Sequence, residues 1–242
     1  MILGFTRLLV FLVLFRAALS EGQTQGTFQN FDFESATLIP IQGDPYGRVQ
    51  FSPALPGWSG IVDGAQQSAA LYNDLFLNSS GIGIIGSGSV ISDRRIDGNF
   101  KAFLEAGVSL SDPNRPADAS LSQTGLIPFE IQSLTFKAAP GAGPFEVTLG
   151  GQSLPLIPMS AGTNYTLFGA DVHAWAGQTT ELKFTAVADR VNLGRVNNLF
   201  LDSIQFSSVP IPEPSVLALG SVLFGLYYSW RRITSKRSST NS

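Results

Sequence analysis

The 242 residues carry 15 Lys or Arg, 18 Asp or Glu, one histidine and no cysteine. Without cysteine the chain has no disulfides, no thiol catalysis and no cysteine-ligated zinc, and a single histidine, His173, excludes any site that needs two imidazoles. Low charge content (14%) with 25 Gly and 14 Pro fits many short strands joined by tight turns.

The chain opens with Arg7, an apolar run from Leu8 to Phe15, and then small residues ending Ala18-Leu19-Ser20. This order predicts a secretory signal peptide over residues 1–20, with Glu21 as the mature start. As a membrane anchor the run is too short, and Arg16 interrupts it. Residues 21–209 follow as one domain's worth of chain. Between residues 24 and 209, nine Lys or Arg stand against sixteen Asp or Glu. An acidic domain without basic stripes argues against nucleic acid as a partner and is compatible with calcium or neutral sugars.

Period-two alternation marks the domain as all-β. Leu134, Phe136 and Ala138 alternate with polar residues, as do Phe145, Val147 and Leu149, and then Leu182, Phe184 and Ala186. Further strands are predicted over 27–34, 58–62, 69–77, 81–85, 100–105, 120–126 and 199–206. Between them lie turn signals such as Gly43-Asp44-Pro45-Tyr46-Gly47, Leu55-Pro56-Gly57 and Asp97-Gly98-Asn99. Only 169–177 has helical character, for about two turns. With no helix long enough for a parallel α/β sheet, the pattern predicts an antiparallel β-sandwich, a jelly roll. Gly81-Ile82-Gly83-Ile84-Ile85-Gly86 spells GxGxxG, but strand-like residues follow it where a dinucleotide site needs a helix. It reads as a glycine-rich strand in a crowded sheet.

The domain begins Asn30-Phe31-Asp32-Phe33-Glu34, soon reaches Leu55-Pro56-Gly57-Trp58, and ends Leu199-Phe200-Leu201-Asp202-Ser203-Ile204-Gln205-Phe206. With the Leu-Thr-Phe strand at 134–136, these segments resemble galactose-binding-like jelly rolls, the type used by many carbohydrate-binding modules. That resemblance implies a structural calcium where the first and last strands meet, with Asp32, Glu34 and Asp202 as candidate ligands. Asp202 shares parity with Phe200, Ile204 and Phe206, so in a regular strand it points inward and needs a cation; a bulge would turn it outward. Ordinary solvated carboxylates are the alternative.

Tyr46, Tyr165 and Trp175 are candidates for stacking on sugar rings, whereas Trp58, entering a strand after Pro-Gly, reads as a core indole. His173 lies two residues from Asp171, with no serine in a nucleophile elbow to complete a triad.

The C-terminal segment, 210–242, holds Pro212-Glu213-Pro214, an apolar run from Val216 to Trp230 that extends to a 215–233 helix, and then Arg231-Arg232. Fifteen residues of helix span about 22 Å, short of the ~30 Å hydrocarbon core. Tyr227, Tyr228 and Trp230 suit the headgroup region, and the basic residues suit the cytoplasmic side. This three-part order resembles the PEP-CTERM sorting signal of Gram-negative bacteria. The resemblance implies an exosortase-type processing enzyme as partner and a passage through the membrane before release to the surface. The expected role is a non-enzymatic, exported envelope or matrix protein that contacts exopolysaccharide. The alternatives are a carbohydrate-binding module with a defined sugar site and a secreted glycan hydrolase.

Overall fold

The computed structural model describes residues 27–89, 96–139 and 143–211. The expected signal peptide, the Pro212-Glu213-Pro214 motif, the apolar run and Arg231-Arg232 lie outside the described residues. Among the described residues no helix is long and apolar enough to cross a membrane.

Alternation of apolar and polar residues builds the strands in chain order. They are β1 (Val49–Gln50), β2 (Ser59–Val62), β3 (Ala65–Gln66), β4 (Ala69–Tyr72), β5 (Gly81–Gly86), β6 (Phe100–Val108), β7 (Pro116–Ala117) and β8 (Ala119–Leu126). After these come β9 (Ser133–Ala138), β10 (Phe145–Leu149), β11 (Gln152–Ser153), β12 (Ile157–Ala161), β13 (Thr166–Asp171), β14 (Thr179–Ala186) and β15 (Asn197–Ser207). One α-helical turn, α1, covers Phe51–Ala54. The larger sheet runs β1-β4-β5-β6-β15-β9-β13-β12 with β7 on β6, and the smaller runs β11-β10-β14-β8-β2-β3. Pairing is antiparallel except between β4 and β5. The fold is therefore all-β and sandwich-like, as the alternation predicts.

The two sheets enclose one main core. Leu134, Phe136, Leu199 and Leu201 of the larger sheet meet Leu121, Val147, Leu182 and Phe184 of the smaller. Phe136 packs edge-on against Phe184 at 5.1 Å. Trp58 is buried, stacks on Phe33 at 5.6 Å and donates its Nε1–H to the Asn30 carbonyl at 3.1 Å, as expected of a core indole. A second, smaller cluster of Ile85, Ile96, Phe103, Ala139 and Phe200 lies on the outer face of the larger sheet, covered by Leu75, Phe76 and Tyr165.

Three expectations are corrected. Residues 27–34 form turns instead of a strand, because Asn30 (φ 52°) and Phe33 (φ 59°) adopt left-handed backbone that breaks the extended run. The strand expected over 69–77 stops at Tyr72, where Asn73 (φ 56°) turns the chain onto the outer face. The brief helix expected over 169–177 is the end of β13 and a 3₁₀ turn at His173–Trp175. The glycine-rich 81–86 segment is a strand, as read. A Cβ at Gly81 would strike the Phe76 ring, and one at Gly83 would lie 2.9 Å from the Leu71 carbonyl oxygen.

Both described chain ends leave from one end of the sandwich. Phe28 packs on Phe206 at 5.2 Å, the Phe31 carbonyl accepts from the Ile204 N–H, and Ser133 Oγ donates to the Val209 carbonyl. The far end is marked by β7 pairing with Gly107 and Val108.

Candidate functional site

The short sequence Asp44-Pro45-Tyr46-Gly47-Arg48 builds one wall of a cleft. Asp44 Oδ1 accepts the backbone N–H groups of Tyr46 (2.9 Å) and Arg48 (3.2 Å), so one carboxylate fixes the whole turn. Its Oδ2 accepts Arg48 Nε at 2.8 Å in a forked pair. The hydrogen bond from Arg48 holds the Asp44 carboxyl below its ordinary range. The clamp leaves the Arg48 guanidinium 5.6 Å from the centre of the Tyr46 ring, which is itself 68% exposed.

The opposite wall is the excursion from Asn73 to Ser80. Leu77 (φ 48°) and Asn78 (φ 84°) are successive left-handed residues, a costly conformation that the fold must hold in place. Buried Glu105 does so: its Oε1 accepts the Asn78 N–H at 3.1 Å. Burial pushes the Glu105 carboxyl up, and the N–H groups of Asn78 and Phe76 pull against that shift. Ser80 N–H to the Val108 carbonyl (2.8 Å) and Val108 N–H to the Asn78 carbonyl (3.0 Å) complete the support.

Between the walls is a cleft of about 540 Å³, lined by Tyr46, Arg48, Asp74, Ser79 and the aliphatic side chains of Leu71, Leu75, Leu77 and Leu110, with Phe76. Leu77 and Leu110 are openly exposed. The cleft offers apolar faces for C–H groups and a few polar side chains for hydroxyls. Arg48, Asp74 and Glu105 were not singled out from sequence. The Asp-x-Tyr-x-Arg spacing of 44–48, which lets one carboxylate reach two N–H groups and a guanidinium, was the readable signal for Arg48; Glu105 had none, because its partners are distant in sequence.

The other predicted residues fall elsewhere. Tyr165 covers the Lys137 ammonium, 4.8 Å from its ring centre, and packs on the second cluster. Trp175 packs against the main core. His173 Nδ1 pairs with Asp171 on the exposed surface at 2.7 Å.

Glu34 and Asp202 do meet at one junction, gripping the Asp97–Phe100 turn from two sides. Glu34 Oε1 accepts the N–H groups of Asn99 (2.7 Å) and Phe100 (2.8 Å), and Asp202 Oδ2 accepts that of Asp97 (3.0 Å). Asp32 accepts the Glu34 N–H, within its own turn. Asp202 does not face the main core. Leu201 and Ile204 do, and a bulge at Ser203 (φ 50°) separates them, so Asp202 projects with Phe200 to the outer side. It is buried there all the same, and burial, together with the carboxylates of Asp97 and Glu34, pushes its carboxyl up to about 7. Lys137 pairs with Asp97 beside it. Among the described residues no three Asp, Glu or His side chains converge as a metal-binding group. As placed, the oxygens of Glu34 and Asp202 are turned to N–H donors.

Neither a family model, nor a curated protein, nor a solved structure matches this chain.

Proposed function

We propose that this is an exported, non-enzymatic protein of the cell envelope or extracellular matrix, sorted through a PEP-CTERM-type tail, whose two-sheet domain contacts exopolysaccharide at the Tyr46 cleft. One observation carries the reading. Tyr46 is an exposed ring on a wall fixed by Asp44, facing an aliphatic wall fixed by Glu105, with Arg48, Asp74 and Ser79 at the cleft. Flat apolar surface with a few fixed polar groups suits a pyranose, whose ring presents C–H faces and a hydroxyl rim. Holding the walls rigid lowers the ordering cost of binding a flexible polymer.

The reading includes a jelly-roll connection of the two sheets, supported by the meeting of the opening segment with the last strand at Phe31 and Ile204. It also places the tail in the membrane until an exosortase-type enzyme removes it. Both described chain ends leave from one end, and Leu77 and Leu110 lie toward the other, so a tethered domain holds the cleft away from the membrane. The test is a glycan array probed with the full chain in mild detergent. Binding to polysaccharide is expected, and Tyr46→Ala should weaken it about tenfold. An array signal that Tyr46→Ala leaves intact would remove the cleft from the reading.

A further inference from the structure

The outer face of the smaller sheet holds a second recess. Ile61, Ser120, Thr185 and Glu146 stand in one row across β2, β8, β14 and β10, paired in register. Their chain neighbours Val62, Leu121, Phe184 and Val147 point into the core, so this row faces out. The row floors a groove of about 460 Å³.

Two ion pairs stand at its rim. Arg115 forks onto Asp63, which also accepts Ser109 Oγ at 2.6 Å. Arg190 donates Nη2 to Asp118 at 2.6 Å and Nη1 to the Pro116 carbonyl at 3.2 Å, and Asp118 accepts the Ala188 N–H at 2.8 Å. The two guanidinium side chains remain about half exposed, at 48% and 52%. Lys183 and Glu146 also line the groove, and among the described residues neither has a side-chain partner.

The chemistry of this lining is specific. Among the described residues three cations (Arg115, Arg190, Lys183) balance three carboxylates (Asp63, Asp118, Glu146), so the groove favours neither a polyanion nor a polycation. No aromatic ring among the described residues lines it, and its exposed apolar surface is slight. Donors and acceptors sit side by side, over the hydroxyls of Ser120 and Thr185. A hydroxyl both donates and accepts, so adjacent hydroxyls match adjacent guanidinium and carboxylate groups.

We infer that this groove is a second saccharide site, one that takes a neutral polyhydroxylated chain by hydrogen bonding. The inference rests on the proposed polysaccharide-binding role and extends it. Leu71 lines the Tyr46 cleft from the outer face of the larger sheet, while its neighbour Ala70 lies in the main core. The two sites therefore open on opposite faces of the sandwich, and the domain is bivalent. Two sites on opposite faces bind two chains and link them, which is what a matrix protein needs.

The test is affinity electrophoresis of the full chain in mild detergent, through gels containing galactomannan or hydroxyethylcellulose (neutral), alginate (anionic) or chitosan (cationic). The neutral polymers are expected to retard the chain most. Tyr46→Ala should leave part of the retardation, and adding Glu146→Gln with Lys183→Met should remove the remainder, weakening apparent affinity by about a further tenfold. Arg190→Gln is the second variant, and melting curves establish that each variant is folded. If Tyr46→Ala alone abolishes retardation, or the groove variants change nothing, the second site is overturned while the proposed function stands. If no polymer retards the unaltered chain, the proposed function falls and the groove proposal with it. Stronger retardation by alginate or chitosan than by the neutral polymers overturns the neutral-ligand assignment.

Discussion

At the scale of single residues, Asp202 makes the sharpest statement about pH. Its carboxyl is raised from 3.8 to about 7, chiefly by burial. In the unfolded chain it ionises near 4, so between these values the folded state holds the extra proton. Its contribution to stability is full below about 4 and is lost as pH rises through about 7. Glu105, also raised by burial, slopes the same way. Asp44, Asp63 and Asp97 are lowered by their Arg and Lys partners and weaken the fold only at pH values below the ordinary carboxylate range. Melting of the full chain should therefore move to lower temperature from pH 5 to pH 8, and Asp202→Asn should flatten that slope. An unchanged slope in the variant would assign the effect elsewhere. At the same junction Glu34 and Asp202 already accept N–H groups, and among the described residues no three acidic or imidazole side chains converge to hold a calcium ion. The melting temperature is accordingly expected to be the same with excess calcium and with chelator.

Elements are held by packing that few substitutions can evade. Phe184 in β14 is fully buried and touches both Phe136 and Trp58. Truncating it to alanine should cost about 3–5 kcal/mol, read from urea unfolding. The β5 strand shows the opposite constraint. Its glycines leave room for a layer above, so Gly81→Ala pushes on the Phe76 ring and strains the 73–80 excursion. That overpacking should cost about 1–3 kcal/mol and also lower affinity at the Tyr46 cleft, whose wall Phe76 helps to form. An alanine here that is neutral for both stability and binding would mean that the excursion shifts freely.

For the whole molecule, the proposed sorting tail makes a chemical prediction. Mass spectrometry of the protein from its native host should find a mature C-terminus between Glu213 and Ser215. A mature chain that keeps Arg231 and Arg232 would refute removal of the tail. The last described residue, Ile211, lies against Met159 and Gly169 near the end from which the chain leaves, so a cut beyond it removes no described strand.

Much of the fold was legible because burial on one face of a strand writes itself as period-two alternation. Leu134, Phe136, Val147, Leu182 and Phe184 were read in this way and are buried. The core role of Trp58 and the strand nature of the GxGxxG segment followed from their local context. Alternation fails where the backbone leaves regular geometry. Phe200, whose parity Asp202 shares, faces the outer cluster, and one left-handed residue, Ser203, then turns Ile204 back to the core; nothing in its neighbours announces that bulge. The candidate sites were less legible still. Tyr46 was readable as an exposed loop aromatic, but its cleft exists because Glu105 of β6 holds Asn78, far away in the chain. The groove on the other face needs Asp63, Arg115 and Lys183 from three separate segments. Sequence alone determined which residues alternate, where turns break the chain, and which segments resemble export and sorting signals. Only the tertiary structure decided which side chains share a surface, because that depends on strand order and register between segments whose contacts are long-range.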